Sequence, residues 1–207
     1  MKLFNFDKVV TKNLEKIVDD LSQDSEISER LTNYMDNLAN HKNKDSTEYF
    51  HIKIQIISEY VNLGYSLSKI LNFLDKHKLS IDFYDNIILR TACDKGNLKF
   101  IKLLIQEYGD LIKLDAWYQS PIRYAVQHGN LELVNFLLGF PQVDPSNPLV
   151  LTLAVTANHH EIAIRLLQDD RVDPKAWDNH ALNYAKEYHK VNPDYHRMIQ
   201  LLSHPKK

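Results

Sequence analysis

The side chains best suited to chemistry in this 207-residue sequence are the run His159-His160-Glu161 and a single cysteine, Cys93. Histidine and carboxylate groups bind zinc, and a thiolate is a nucleophile. A zinc-binding helix needs two ligands four residues apart on one face, whereas adjacent residues point in different directions. We therefore expect His160 to be a packed structural histidine, and the sequence predicts no metal site.

Catalytic motifs are also missing from the sequence. Cys93 follows an alanine inside a predicted helix, which is typical of a small core residue. No glycine-rich phosphate loop, nucleophile elbow or zinc-cluster spacing occurs, and the chain has five glycines in total. We expect no enzymatic activity and no cofactor. A hydrolase that uses His159, His160 or Cys93 is the alternative.

Composition narrows the class of partner. Hydrophobic residues make up 44% of the chain and charged residues 25%, as in folded globular proteins. The net charge is -2 and the pI is about 6.5, so the chain lacks the basic excess that nucleic acids and anionic membranes attract. No apolar run reaches the length of a membrane span, and one cysteine forms no internal disulfide. We expect a cytoplasmic monomer that binds neither nucleic acid nor membrane.

An internal repeat in the sequence predicts the helices that carry these residues. Four alanines with matching neighbourhoods are spaced 33, 29 and 31 residues apart: Ala92, Ala125, Ala154 and Ala185. Each has an aliphatic residue three positions earlier: Leu89, Ile122, Leu151 and Leu182. Four positions later stand Gly96, Gly129, Asn158 and His189. Glycine and asparagine adopt the left-handed conformation that ends helices, so this pattern predicts a first helix closed by a tight turn.

A second helix follows in each repeat. The first three repeats carry an apolar pair at the same offset after the alanine: Leu104-Ile105, Leu137-Leu138 and Leu166-Leu167. In the fourth repeat the pair is Leu201-Leu202, displaced by four residues, which indicates an insertion near Val191-Asn192-Pro193-Asp194. The wide apolar stripes are typical of helices packed on both sides.

The second repeat, SPIRYAVQHGNLELV at residues 120–134, resembles an ankyrin repeat. The resemblance covers residues 83–203. The linkers Val143-Asp144-Pro145 and Arg171-Val172-Asp173-Pro174 resemble those of divergent ankyrin arrays in giant viruses, amoebae and intracellular bacteria. The resemblance implies an all-α fold, an ankyrin-repeat α-solenoid of helix-turn-helix units with turn or hairpin tips.

The Thr-Pro-Leu-His tetrapeptide of that family is altered in every repeat. It reads Ile87-Ile88-Leu89-Arg90, Ser120-Pro121-Ile122-Arg123, Leu149-Val150-Leu151-Thr152 and His180-Ala181-Leu182-Asn183. We therefore expect the hydrogen bonds that the family's threonine and histidine make to be partly missing.

The segment before these repeats is more divergent. Residues 48–82 are interpreted as a degenerate ankyrin-like unit in which Gly64 separates two helices. The alternation from Phe50 to Ile56 also suits a β-strand, but the repeat register favours a helix. Residues 1–47 form an N-terminal helical segment, with one amphipathic helix on Val10, Leu14, Ile17 and Leu21 and another on Ile27, Leu31, Tyr34 and Leu38. Residues 83–207 hold the four clearer repeats.

Repeat register also predicts the partner-binding residues. Stacked repeats of this kind expose the turn tips and one face of the first helices. The tip position holds Tyr84, Trp117, Ser146 and Trp177, so both tryptophans of the chain share one slot. Exposed aromatic residues on a rigid edge serve as interface anchors, although these rings could instead cover the core. The ends of the first helices contribute Asp94, Lys95, Gln127, His128, Glu187 and Tyr188, together with Thr156 and Ala157.

The sequence thus predicts a module that binds a partner protein through the concave ankyrin groove. The resemblance to divergent arrays extends this to a viral or bacterial effector that acts on a host protein in the host cytoplasm. The alternative is a scaffold whose N-terminal helices dock onto an enzyme and inhibit or regulate it.

Overall fold

A computed structural model describes residues 25–43 and 46–204, and all regular structure in that part of the chain is helical. The eleven α-helices of the described residues are α1 Ser25–Asn40, α2 Thr47–Asn62, α3 Leu67–Lys76, α4 Phe83–Asp94, α5 Leu98–Tyr108, α6 Ala116–Gln127, α7 Leu131–Leu138, α8 Pro148–Thr156, α9 His160–Leu167, α10 Ala176–His189 and α11 Tyr195–Ser203. A 3₁₀ turn spans Gly109–Leu111. The described residues divide into two compact units, with the boundary between Lys76 and His77.

The first unit contains α1, α2 and α3. Ser46 caps α2 by accepting a hydrogen bond from the backbone N–H of Tyr49 at 3.1 Å. Helix α2 continues through the segment whose alternation also suited a strand, so the helical interpretation is confirmed. Gly64, with φ +69°, lies between α2 and α3. The predicted helix on Val10 to Leu21 lies outside the described residues.

The second unit is built from four helix pairs: α4 with α5, α6 with α7, α8 with α9, and α10 with α11. The repeated alanines are fully buried: Ala92, Ala125, Ala154 and Ala185 all have 0% of their surface exposed. First helices of successive repeats pack side by side, and a larger residue at the alanine position would separate them. The connection between α10 and α11 is longer than in the other repeats, which confirms the predicted insertion.

Three of the four tips contain a left-handed turn. Tyr84–Asn86, Trp117–Gln119 and Trp177–Asn179 each have three consecutive residues with φ between +47° and +62°. Regular right-handed helix begins after each turn. Left-handed geometry costs about 1–2 kcal/mol for each non-glycine residue, so contacts elsewhere must hold these turns.

The third tip is different because proline occupies it. Pro148 stands in the slot of Asn86 and Gln119, and its ring fixes φ at a negative value. Helix α8 therefore begins directly, with Asn147 Oδ1 accepting a hydrogen bond from the backbone N–H of Leu149 at 3.0 Å.

In two of the repeats, the turn after the first helix requires glycine, for two reasons. Gly96 and Gly129 have φ of +66° and +72°, as predicted. In addition, a Cβ atom on Gly129 would lie 2.8 Å from the His159 ring, and one on Gly96 would lie 2.7 Å from Asn130 Nδ2. Each glycine thus admits a side chain from the next repeat. Asn158 fills the same slot with φ +57°.

We expect the substitution Gly129→Ala to lower the free energy of unfolding by about 2 kcal/mol or more, because it adds left-handed strain and a clash with His159. The matched control Asn158→Gly, in the equivalent slot, should be neutral within about 0.5 kcal/mol. Urea denaturation followed by circular dichroism measures both. Equal losses for the two variants would contradict this explanation.

Candidate partner-binding surface

The predicted partner-binding residues lie in two rows at opposite ends of the first helices. The tip row contains Tyr84, Trp117, Ser146 and Trp177, which stand at or just before the start of each first helix. The helix-end row contains Asp94, Lys95, Gln127, His128, Thr156, Ala157, Glu187 and Tyr188. Most of these side chains are exposed, whereas Tyr84, Asp94 and Thr156 are half-buried.

The first two tips are joined by a cation between aromatic rings. The Arg90 guanidinium carbon lies 4.4 Å from the Trp117 ring centroid and 5.5 Å from that of Tyr84. The two rings are themselves 5.6 Å apart. Such an arrangement uses the negative face of the indole to hold a cation. Arg90 belongs to the altered tetrapeptide of the first repeat, and no pattern in the sequence predicted this role.

Arg90 also holds the left-handed turn of the first tip. Its Nε donates to the carbonyl oxygen of Asp85 at 2.9 Å, and its Nη2 donates to that of Tyr84 at 3.0 Å. Asp85 Oδ2 in turn accepts from the backbone N–H of Trp117 at 2.7 Å. Burial lowers the pKa of Arg90, while Tyr124, Asp85 and Tyr84 raise it.

Other tetrapeptide positions also form hydrogen bonds. Ser120 Oγ donates to the carbonyl oxygen of Ala116 at 3.2 Å, and Asn183 Nδ2 donates to that of Asp178 at 3.0 Å. Arg123 is the exception, because its Nε is buried without a partner among the described residues. The expected loss of bonding is therefore limited, since Arg90, Ser120 and Asn183 replace the family's donors with donors of their own.

The tryptophan of the fourth tip is more exposed than that of the second. Trp177 is 57% exposed, against 44% for Trp117. Its ring is nearly perpendicular to that of His180, with the centroids 6.0 Å apart. Tyr118, beside Trp117, is 83% exposed. Tyr118 was not among the predicted binding residues, although the repeat register places it directly after a tip tryptophan.

The third tip carries no ring. Ser146 donates its backbone N–H to Asp144 Oδ1 at 2.8 Å. Gln119 spans the gap from the second tip, with Nε2 donating to the Gln142 carbonyl at 3.2 Å and Oε1 accepting from the Asp144 N–H at 3.0 Å. Polar bonds thus fix this turn without an aromatic side chain.

The helix-end row is joined by polar contacts between repeats. His128 Nε2 lies 2.9 Å from Asp94 Oδ1, and both side chains are partly exposed. At such a surface the pair contributes at most about 1 kcal/mol to stability.

The fourth repeat ends this row with a tyrosine cluster. Tyr188 stacks on Tyr184 with the ring centroids 4.2 Å apart. Burial, followed by the hydrogen bond with Tyr188, raises the pKa of Tyr184 to about 12. The Tyr184 hydroxyl therefore stays protonated at neutral pH.

The side chains that could take part in metal binding or catalysis do not form a common site. His159 Nε2 lies 3.2 Å from the carbonyl oxygen of Gln127, whereas Glu161 Oε1 accepts from Arg197 Nη2 at 3.4 Å. In the part of the chain that the structure describes, no three His, Cys, Asp or Glu side chains are grouped to hold a metal ion. Cys93 is fully buried, and burial raises the pKa of its thiol, which disfavours the nucleophilic thiolate.

A shallow polar cavity of about 470 Å³ lies between α1 and α2 in the first unit. It is lined by Tyr34, Asn37, Asn40, His41, Glu48, His51, Ile52 and Gln55. His41 Nε2 lies 3.3 Å from Glu48 Oε2, while its buried Nδ1 has no partner among the described residues. No sequence signal had indicated this site.

Comparison with known proteins supports the repeat assignment. The chain is similar to the ankyrin repeat protein nuc-2 of Neurospora crassa, with 29% identity over 142 residues. The match covers 63% of this chain and 13% of that protein, so it spans a small part of its relative's length. No protein-family model and no solved structure matches the chain. The similarity and the helix pairs together support an ankyrin-like repeat protein with an all-α fold.

We expect Arg90→Ala to lower the free energy of unfolding by about 2 kcal/mol, because two charged hydrogen bonds to the left-handed turn are lost. Arg123→Ala is the matched control in the same slot of the next repeat, and it should cost less than about 1 kcal/mol. Thermal and urea unfolding of both variants provide the measurement. Similar losses would show that the slot depends on packing rather than on these bonds.

Proposed function

We propose that this chain is a protein-binding module whose tip row contacts a partner through exposed aromatic side chains. The similarity to an ankyrin repeat protein supports protein interaction as the general class. The observation that carries the specific surface is the exposure of Trp177, at 57%, and of Tyr118, at 83%, on turns held by hydrogen bonds. No helix among the described residues is long and apolar enough to cross a membrane.

Rigidity makes these side chains suitable as anchors. Tryptophan and tyrosine bury large areas with few rotatable bonds, so little conformational entropy is lost on binding. The turns beneath them are fixed in the free protein, because Gln119 bonds to the neighbouring turn and Asn183 to its own. The helix-end row, including Tyr188 at 44% exposure, supplies a second set of contacts.

Finer parts of the proposal rest on the resemblance to divergent arrays. These parts are a monomeric effector of a virus or an intracellular bacterium, a protein target in the host cell, and a cytoplasmic site of action. No catalytic step and no cofactor belong to this function.

Capture of partners from the lysate of a host cell tests the tip row. We expect Trp177→Ala to reduce capture by about tenfold or more while the thermal midpoint changes little, because exposed anchors contribute to binding rather than folding. Leu103→Ala is the matched control, since Leu103 is 39% exposed on the second helix α5. Unchanged capture by the Trp177 variant would contradict the proposal. Trp117 is less suitable, because its ring also packs on Arg90.

The alternative places the interaction in the N-terminal helices, which would dock onto an enzyme. The polar cavity between α1 and α2 is the feature that favours it. Helix α1 packs on α2, with Leu38 5% exposed, so deletion of α1 alone would uncover apolar surface.

We therefore expect deletion of residues 1–76, the whole first unit, to leave capture of the same partner intact. Circular dichroism checks that the remaining repeats are folded. Capture that disappears from a folded truncated protein would favour the alternative.

A further inference from the structure

The fourth tip lacks the cation that the second tip binds internally. At the second tip, the indole face of Trp117 is covered by Arg90 from the preceding repeat. The slot of Arg90 in the repeat before Trp177 holds Thr152, whose short side chain lies 3.4 Å from His180 Nδ1. Among the described residues, no lysine or arginine lies over the Trp177 ring. We call Trp177, Asp178 and Asn179 the open tip.

The carboxylate of the open tip is also without a partner. Asp85, in the equivalent slot of the first tip, accepts a hydrogen bond from the backbone of the next repeat. In the described part of the chain, no donor or cation contacts the side-chain oxygens of Asp178, which is exposed. Its backbone carbonyl is satisfied by Asn183, so the turn is held without using the carboxylate.

Local charge favours a cationic ligand. Residues 169–178 contain four aspartates and two basic residues, which gives a local net charge of -2. One of the basic residues, Arg171, is already paired with Asp169 at 2.8 Å. A planar guanidinium both stacks on an indole and forms two hydrogen bonds with a carboxylate, whereas an ammonium is a point charge.

We propose that the open tip binds an arginine side chain from a basic segment of the partner protein, with the guanidinium stacked on the face of Trp177 and attracted by the negative charge of Asp178. This inference rests on the proposed function, because it names the chemistry that the partner brings to the tip row. The pair Arg90 and Trp117 is the internal precedent for the stacking.

The two tryptophans make a direct test possible, because an ¹⁵N spectrum of the full chain contains two indole N–H signals. Trp177→Phe assigns them. The probe is a short peptide of alternating glycine and arginine. We expect it to shift the Trp177 signal and leave that of Trp117 in place, since Arg90 already covers that ring. The matched peptide with citrulline, which keeps the shape and removes the charge, should bind at least about fivefold more weakly.

Two further comparisons complete the test. Asp178→Asn should weaken binding of the arginine peptide by about two- to fivefold, and a glycine–lysine peptide should bind more weakly than the arginine peptide. Equal binding of the citrulline or lysine peptide, equal shifts at both tryptophans, or no effect of Asp178→Asn would overturn the proposal. If these results occur while Trp177→Ala still abolishes capture, the module function stands and the arginine assignment is wrong.

Discussion

Close packing of the first helices on four buried alanines is the constraint on which the second unit depends. A fully buried alanine such as Ala125 is small enough to let adjacent first helices pack closely. This approach aligns equivalent residues of successive repeats, so a single position in the sequence becomes a row in the structure. The tip row and the helix-end row both follow from that alignment. Gly96 and Gly129 serve the same constraint by admitting side chains of the next repeat.

Tips differ because each repeat stabilises its turn with a different donor. The first uses the Arg90 guanidinium, the second is tied to its neighbour by Gln119, and the fourth uses the Asn183 amide. The side chain in the slot of Arg90 also affects the following tip. Arg90 of the first repeat extends over the Trp117 indole, whereas Thr152 in the same slot of the third repeat is too short to cover the Trp177 indole in this way. One slot in a repeat therefore determines how exposed the tryptophan of the next tip is.

Much of this fold was predictable from the sequence, because the repeats rest on local patterns. The alanine register located all four helix pairs, and glycine or asparagine marked the left-handed ends of three first helices. The left-handed turns at the tips could not be predicted, since Tyr84, Trp117 and Trp177 have no intrinsic preference for positive φ. Those turns depend on donors such as Arg90 that become neighbours after folding. The cavity beside His41 was missed for the same reason, because its lining comes from two helices without a shared motif. The binding roles of the twelve residues in the tip row and the helix-end row stay predictions.

The third tip has a consequence for valency. Ser146 fills the slot that tryptophan occupies at the second and fourth tips, and Pro148 prevents a left-handed turn, so the third tip presents no aromatic ring. The exposed aromatic side chains therefore form two separate contact sites, one at Trp117 and Tyr118 and the other at Trp177. A partner that reaches both gains from effective concentration, because the second contact forms within an existing complex. The choice among partner proteins then depends on the distance between two weakly binding motifs of the partner as much as on the chemistry of either motif.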